Sequence, residues 1–180
     1  MTAKSTPIGR PVMNQTEAVP IDLSKASILL VDDNEQNLEL IQAYLEELPC
    51  RIRTARDGLE AVRMIDEEIP DLVLLDVMMP RMSGFEVCQK IKSSDATRDV
   101  VVIMVTALHE VGDFERAVEV GTNDFITKPV NKLELITRVR SLLELRLVKK
   151  QFDQLLSLRQ RVRPDIRDLP EAEEPLEDVD

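Results

Sequence analysis

DLVLLDVMMPRMSG, residues 71–84, decides how the chain is read. Its apolar run, residues 72–75, is too short for a helix and is bounded by Pro70 and Pro80. A strand buried on both faces has this pattern. Asp76 follows where such a strand leaves the core. In an open α/β sheet that carboxyl-terminal edge is where ligands bind, so a carboxylate there stands on rigid backbone, ionised and partly desolvated. Pro80 and Gly84 turn the chain away, and Ser83 is placed to cap the next helix. Asp76 is therefore the candidate phosphate acceptor.

Upstream, SILLV at Ser27–Val31 reads as a second buried strand ending in Asp32 and Asp33. Asn34 then caps a helix with Leu38, Ile41, Leu45 and Leu48 on one face, closed by Pro49. A strand over 50–54 leads through Asp57 and Gly58 to a helix in which Leu59, Val62, Ile65 and Ile69 are expected to face inward. Downstream, a helix over 84–92 carries Phe85, Val87, Cys88 and Ile91. The β-branched run VVVIMV, residues 100–105, ends in Thr106. A helix over 111–120 leads through Gly121 to a short strand, Asp124–Thr127, and to Lys128 and Pro129. Strand and helix alternate five times, the pattern of crossovers on a parallel sheet in an α/β fold.

From Asn131 the chain is helical for an unusual distance. Leu135, Val139, Leu142, Leu145, Val148, Phe152, Leu155, Leu158 and Val162 keep spacings of three and four, with no Gly or Pro before Pro164. About thirty helical residues span roughly 45 Å, more than a crossover needs. The part beyond 145 has no sheet to cover, so its apolar seam needs another partner. A twin helix in a coiled coil is the simplest one, although basic residues crowd 146–150. The expected organisation is a disordered N-terminal arm over 1–25, a folded domain over 26–145, a helical extension over 146–163, and an acidic disordered tail over 164–180.

The formal net charge of -11 repels a phosphate backbone, and no basic stripe interrupts it, which argues against direct nucleic-acid binding. No run has the apolar length of a membrane span, and the N-terminus lacks a signal-peptide segment; a cytoplasmic location is expected. Cys50 and Cys88 lack metal-site spacing and read as small apolar residues.

In a parallel sheet all carboxyl ends point one way, so Asp32, Asp33, Asp76, Thr106 and Lys128 converge. Three carboxylates at one place repel one another and favour a hard divalent cation among them; Mg²⁺ fits oxygen ligands of this kind. A lysine and a hydroxyl beside it suit the oxygens of a phosphoryl group. The chemistry indicated is phosphoryl transfer to a carboxylate.

LLVDDN at 29–34, LLDVMMPRMSG at 74–84, VTA at 105–107 and GTNDFITKP at 121–129 together resemble the receiver domain of two-component response regulators, including the chemotaxis regulators. The resemblance implies a flavodoxin-like, doubly wound sheet of five parallel strands in the order 2-1-3-4-5. It implies Asp76 as phosphoacceptor, Asp32 and Asp33 as the metal-binding pair, and the Met78 backbone carbonyl as a further Mg²⁺ ligand. Lys128 would pair with phosphoryl oxygens, Thr106 would move to hydrogen-bond one, and Phe125 would report the switch by its rotamer. The Lys128–Pro129 bond is expected to be cis. Met78 and Leu108 are apolar where relatives that lose phosphate quickly carry polar groups, which implies a long-lived phosphoryl group. His109, beside the site, reads as solvated.

The function implied is a signalling switch, not a turnover enzyme. A sensor histidine kinase or phosphotransfer protein phosphorylates it, and the surface of the fourth helix, fifth strand and fifth helix then changes for protein contact or homodimerisation. No DNA-binding output pattern follows the receiver. The alternative is that the receiver and its long helix are part of a larger regulator with an enzymatic output domain. A metal-dependent phosphatase is a weaker reading, since Met78 cannot act as the general acid such chemistry wants two positions after the nucleophile.

Overall fold

The computed structural model describes residues 21–107 and 111–162. The expected arm through residue 20, the segment 164–180, Leu108 and His109 lie outside the described residues. After a 3₁₀ turn at Leu23–Lys25, strands β1 (Ser27–Val31), β2 (Arg51–Ala55), β3 (Leu72–Asp76), β4 (Val101–Thr106) and β5 (Asp124–Thr127) alternate with helices α1 (Glu35–Leu45), α2 (Gly58–Glu67), α3 (Gly84–Ser93), α4 (Val111–Glu119) and α5 (Lys132–Val162). All neighbouring strands are parallel, in the order β2-β1-β3-β4-β5.

The two-residue period of each strand divides the core. Ile28, Leu30, Leu72 and Leu74 pack with Ile41 and Leu45 of α1 and with Leu135 and Val139 of α5. Leu29, Val31, Val73 and Leu75 face the other way, against Ile65 of α2, Val87 and Ile91 of α3 and Ala117 of α4. β1 and β3 are buried along their whole length, which is why they read as unbroken apolar runs.

Some local expectations change. α1 stops at Leu45, before Pro49; Leu48 is buried, but in a turn where its amide donates to the Leu45 carbonyl at 2.9 Å. Proline disfavours helical backbone in the residue before it. Cys50 precedes β2 and is only half-buried. On α2, Ala61 and Ile65 are buried, whereas Leu59 is 43% and Ile69 44% exposed. Leu59 sits in the first turn, Ile69 beyond the last, and the sheet covers only the middle of the stripe.

α5 departs most from the expected seam. Its buried ridge is Leu135, Val139, Leu143 and Leu147, with Ile136 beside it, because a helix lying on a sheet meets it along the row of every fourth residue. Leu145, 66% exposed, falls on the free face. The helix remains attached past that point. Lys150 Nζ lies 3.0 Å from the buried Asp71 carboxylate, which also accepts from the Ser27 amide at 3.0 Å. Lys149 Nζ reaches Asp99 at 2.6 Å, and Arg146 is 3.9 Å from the same carboxylate. The basic residues that crowd the seam are thus drawn onto the domain, and Val148, Phe152, Leu155 and Leu158 remain exposed.

Candidate functional site

Strand register brings the site together. Val31 pairs with Leu75, Asp76 with Val105, and Thr106 with Thr127, so Asp32, Asp76, Thr106 and Lys128 emerge at one level of one sheet edge. The Lys128 amide donates to the Thr106 carbonyl at 2.7 Å, and the Lys128–Pro129 peptide is cis.

Asp32 and Asp76 are buried and Asp33 is exposed. Each of the three offers a carboxylate oxygen, and these oxygens all lie within 4.8 Å of one another. Lys128 Nζ bridges the cluster, 2.8 Å from Asp76 Oδ1 and 3.0 Å from Asp32 Oδ2. Burial raises the Asp76 pKa; the hydrogen bond and charge of Lys128 oppose this, and the charges of Asp32 and Asp33 add to it. For Lys128 burial is the largest single influence and acts downward, but hydrogen bonds to Asp76 and Asp32 outweigh it and leave the ammonium above its ordinary pKa. The ammonium stays charged and offsets part of the carboxylate repulsion.

An all-oxygen donor set of three clustered carboxylates, one open to solvent, suits a hard divalent cation that retains water, and Mg²⁺ meets that description. Among the described residues the cluster holds no His or Cys for a nitrogen- or sulfur-seeking metal.

Two elements hold Asp32 and Asp76 in place. Asp32 accepts from the Asn34 amide at 2.9 Å, and from Asn37 Nδ2 at 3.1 Å to each oxygen. The sequence reading did not single out Asn37. Its signal was a polar residue at the start of α1, one turn from the acidic pair. Behind Asp76, Gly84 lets the start of α3 approach the strand end: a Cβ there would lie 2.3 Å from the Asp76 carbonyl oxygen and 2.9 Å from Val77 Cα. Ser83 caps α3 in a reciprocal box with Glu86. Between them, Arg81 adopts a left-handed conformation, φ 69°, and pairs with Asp57, the cap of α2.

Thr106 is buried at the end of β4; the Phe125 side chain is exposed, as is that of Met78, two positions after Asp76. No helix among the described residues is long and apolar enough to cross a membrane.

A family model of the response regulator receiver domain matches residues 28–140. The chain is 44% identical over 129 residues to response regulator PleD of Caulobacter vibrioides, covering 72% of this chain and 28% of PleD. It is 35% identical over 116 residues to the DNA-binding dual master transcriptional regulator RpaA of Synechocystis, covering 64% of this chain and 48% of RpaA. It therefore spans about half or less of the length of these curated relatives. Among solved structures, the receiver domain of a signal transduction histidine kinase from Syntrophus aciditrophicus matches with a TM-score of 0.62 at 37% identity, covering 66% of this chain and 89% of that one. The receiver domain of a LuxO repressor protein from Vibrio parahaemolyticus matches with a TM-score of 0.67 at 28% identity, covering 71% and 96%.

Proposed function

The chain belongs to the response regulator receiver domain family, and on that premise we propose that Asp76 is the phosphoacceptor of a signalling switch. The observation that carries this reading is the placing of Lys128 Nζ 2.8 Å from Asp76 and 3.0 Å from Asp32 inside a cluster of three carboxylates. In the proposed step one Asp76 oxygen attacks the phosphorus of a phosphohistidine on a kinase or phosphotransfer protein. An oxygen–phosphorus bond forms, and the imidazole departs with the electrons of the phosphorus–nitrogen bond. Asp32, Asp33, Asp76 and the Met78 main-chain carbonyl would hold Mg²⁺. When bound, that ion supplies charge neutralisation at the phosphoryl oxygens. Lys128 pairs with the same oxygens, and Asn37 keeps Asp32 oriented.

The Thr106 hydroxyl then donates to a phosphoryl oxygen, Phe125 changes rotamer, and the face of α4, β5 and α5 shifts toward a second packing that a partner reads. The chain turns over no other substrate in this reading. Incubation with a small acyl phosphate and Mg²⁺ should label the unmodified protein and leave Asp76→Asn unlabelled. Equal labelling of the two would overturn the assignment.

The phosphoryl group should be long-lived. Met78 and Leu108 give an attacking water no polar anchor, and Leu108 lies outside the described residues. Met78→Asn is expected to speed decay about tenfold, a barrier change of about 1.4 kcal/mol, followed as loss of label after the donor is removed. Unchanged decay would show that the side chain at 78 does not control water access.

The exposed half of α5 is the proposed output element, forming a homodimeric coiled coil through Leu145, Val148, Phe152 and Leu155, which follow spacings of three and four. Sedimentation should show Phe152→Asp with Leu155→Asp shifted from dimer to monomer. If the unmodified chain is already monomeric in its phosphorylated and unphosphorylated forms, this element has another partner. PleD, of which the chain covers only 28%, favours a second reading, in which α5 connects the receiver to an enzymatic output domain. The size of the protein that the gene expresses separates the two.

A further inference from the structure

The partly exposed stripe of α2 borders a groove. One cavity of about 190 Å³ lies between α2 and α3 and is lined by Val62, Ile65, Ile69, Ile91 and Thr97, among others. A second, of about 470 Å³, adjoins it along Leu59, Arg63, Arg81 and Met82. The two share Val62 and Lys90, so they form one track from the loop after Asp76 to the opposite edge of the sheet. Its floor is apolar. Cations outnumber carboxylates in its walls, and Arg81 is already paired with Asp57 while Arg63 and Lys90 form no ion pair among the described residues.

From charge, reach and apolar content we infer that this groove is a docking site for the chain's own acidic segment, residues 164–180. That segment holds eight Asp or Glu residues against one Arg167, with apolar residues Ile166, Leu169, Leu176 and Val179 spaced among them. Its carboxylates complement Arg63 and Lys90, and its apolar side chains suit Val62, Leu59 and Ile69, which the domain itself leaves partly uncovered.

The path is long enough. Among the described residues α5 is last pinned to the domain where Lys150 meets Asp71, two residues after Ile69, at the edge where the groove opens. From there to Val162 the helix advances about 18 Å, and residues 163–176 can extend up to about 46 Å, enough to return and cross the sheet edge. The upper part of the groove borders Arg81 and Met82, so the docked segment lies against the loop that follows Asp76. This inference does not depend on Asp76 being phosphorylated.

Methyl NMR of the full chain tests it. Leu169→Ser with Leu176→Ser should shift the Val62, Ile69 and Ile91 methyl resonances while leaving Ile136, on the other face of the sheet, unmoved. Arg63→Glu with Lys90→Glu should then abolish the response to the serine pair. Resonances that stay in place with the serine pair overturn the inference. Shifts that disappear on dilution of the unmodified chain assign the segment to a second copy and overturn the within-chain contact; persistence on dilution supports it.

Discussion

Gly84→Ala is expected to destabilise the chain by about 3 kcal/mol and to displace the strand end that carries Asp76. The methyl group would stand 2.3 Å from the Asp76 carbonyl oxygen, with Val77 Cα at 2.9 Å. These obstacles are backbone, which no rotamer change relieves. Either α3 moves away, weakening the bond from the Gly84 amide to the Val77 carbonyl at 3.0 Å, or β3 shifts and alters its register with Val105. Chemical denaturation should show a lower midpoint. The phosphoryl-labelling yield should fall further than the loss of folded protein explains, because the acceptor oxygen is moved relative to Lys128. A Gly84→Ala protein with unchanged midpoint and labelling would mean that the α3 start is not tightly docked on β3.

Lys128→Met removes the one side chain among the described residues that contacts both Asp32 and Asp76 through ion pairs. Both carboxylates are buried, and breaking such a pair costs about 3–5 kcal/mol; the expected loss at neutral pH in metal-free buffer is about 3 kcal/mol, at the low end because Lys128 keeps some solvent contact. The loss should depend on pH in a defined sense. Burial, the leading cause, already raises Asp76 above its ordinary value, and Lys128 is what restrains the rise. Without Lys128 the folded-state pKa of Asp76 climbs further. A carboxyl group whose folded pKa exceeds its unfolded one stabilises the fold below the ordinary carboxylate range, and that contribution fades as pH rises through the folded pKa. The deficit of the variant relative to the unmodified chain should therefore shrink on acidification and widen toward neutrality. Mg²⁺ should narrow it at neutral pH: a cation bound only by the folded state raises stability by mass action, and it binds more tightly to the variant, in which the competing Lys128 charge on Asp32 and Asp76 is gone. Denaturation midpoints across pH, with and without Mg²⁺, measure all of these. A deficit that grows on acidification would show that repulsion between Asp32 and Asp76 is not what Lys128 relieves.

Much of the fold was legible because the signals are local. A strand buried on both faces must be apolar at consecutive positions, so residues 72–75 and Ser27–Val31 announced themselves, and the polar residues that follow such runs lie at the sheet edge. Asn34 and Ser83 were legible as caps because a helix start needs a side-chain acceptor for its free amides, and both serve in that way; Asp57, read only as part of a turn, proves to cap α2 as well. Asn37 was not legible. Its place one turn from the acidic pair is a trace that many exposed asparagines share, and whether its amide reaches Asp32 depends on how α1 leaves the sheet.

The long helix and the α2 stripe show the same division. Periodicity told which residues of α2 and α5 were apolar on one side, but not how much of that side the sheet would cover. Leu59, Ile69 and Leu145 remain outside while Leu143 and Leu147 are covered, and the pairing of Lys150 with Asp71 across 79 positions has no local trace. The sequence by itself determined the succession of elements, the sheet edge on which Asp32, Asp33, Asp76, Thr106 and Lys128 meet, and the chemistry that such groups can share, since each follows from hydrophobic period and chain direction. Tertiary structure alone decided which part of each amphipathic face is buried, how Asp32 is held, and where α5 parts from the domain. Those outcomes depend on the distance and angle between packed elements, which no single segment encodes.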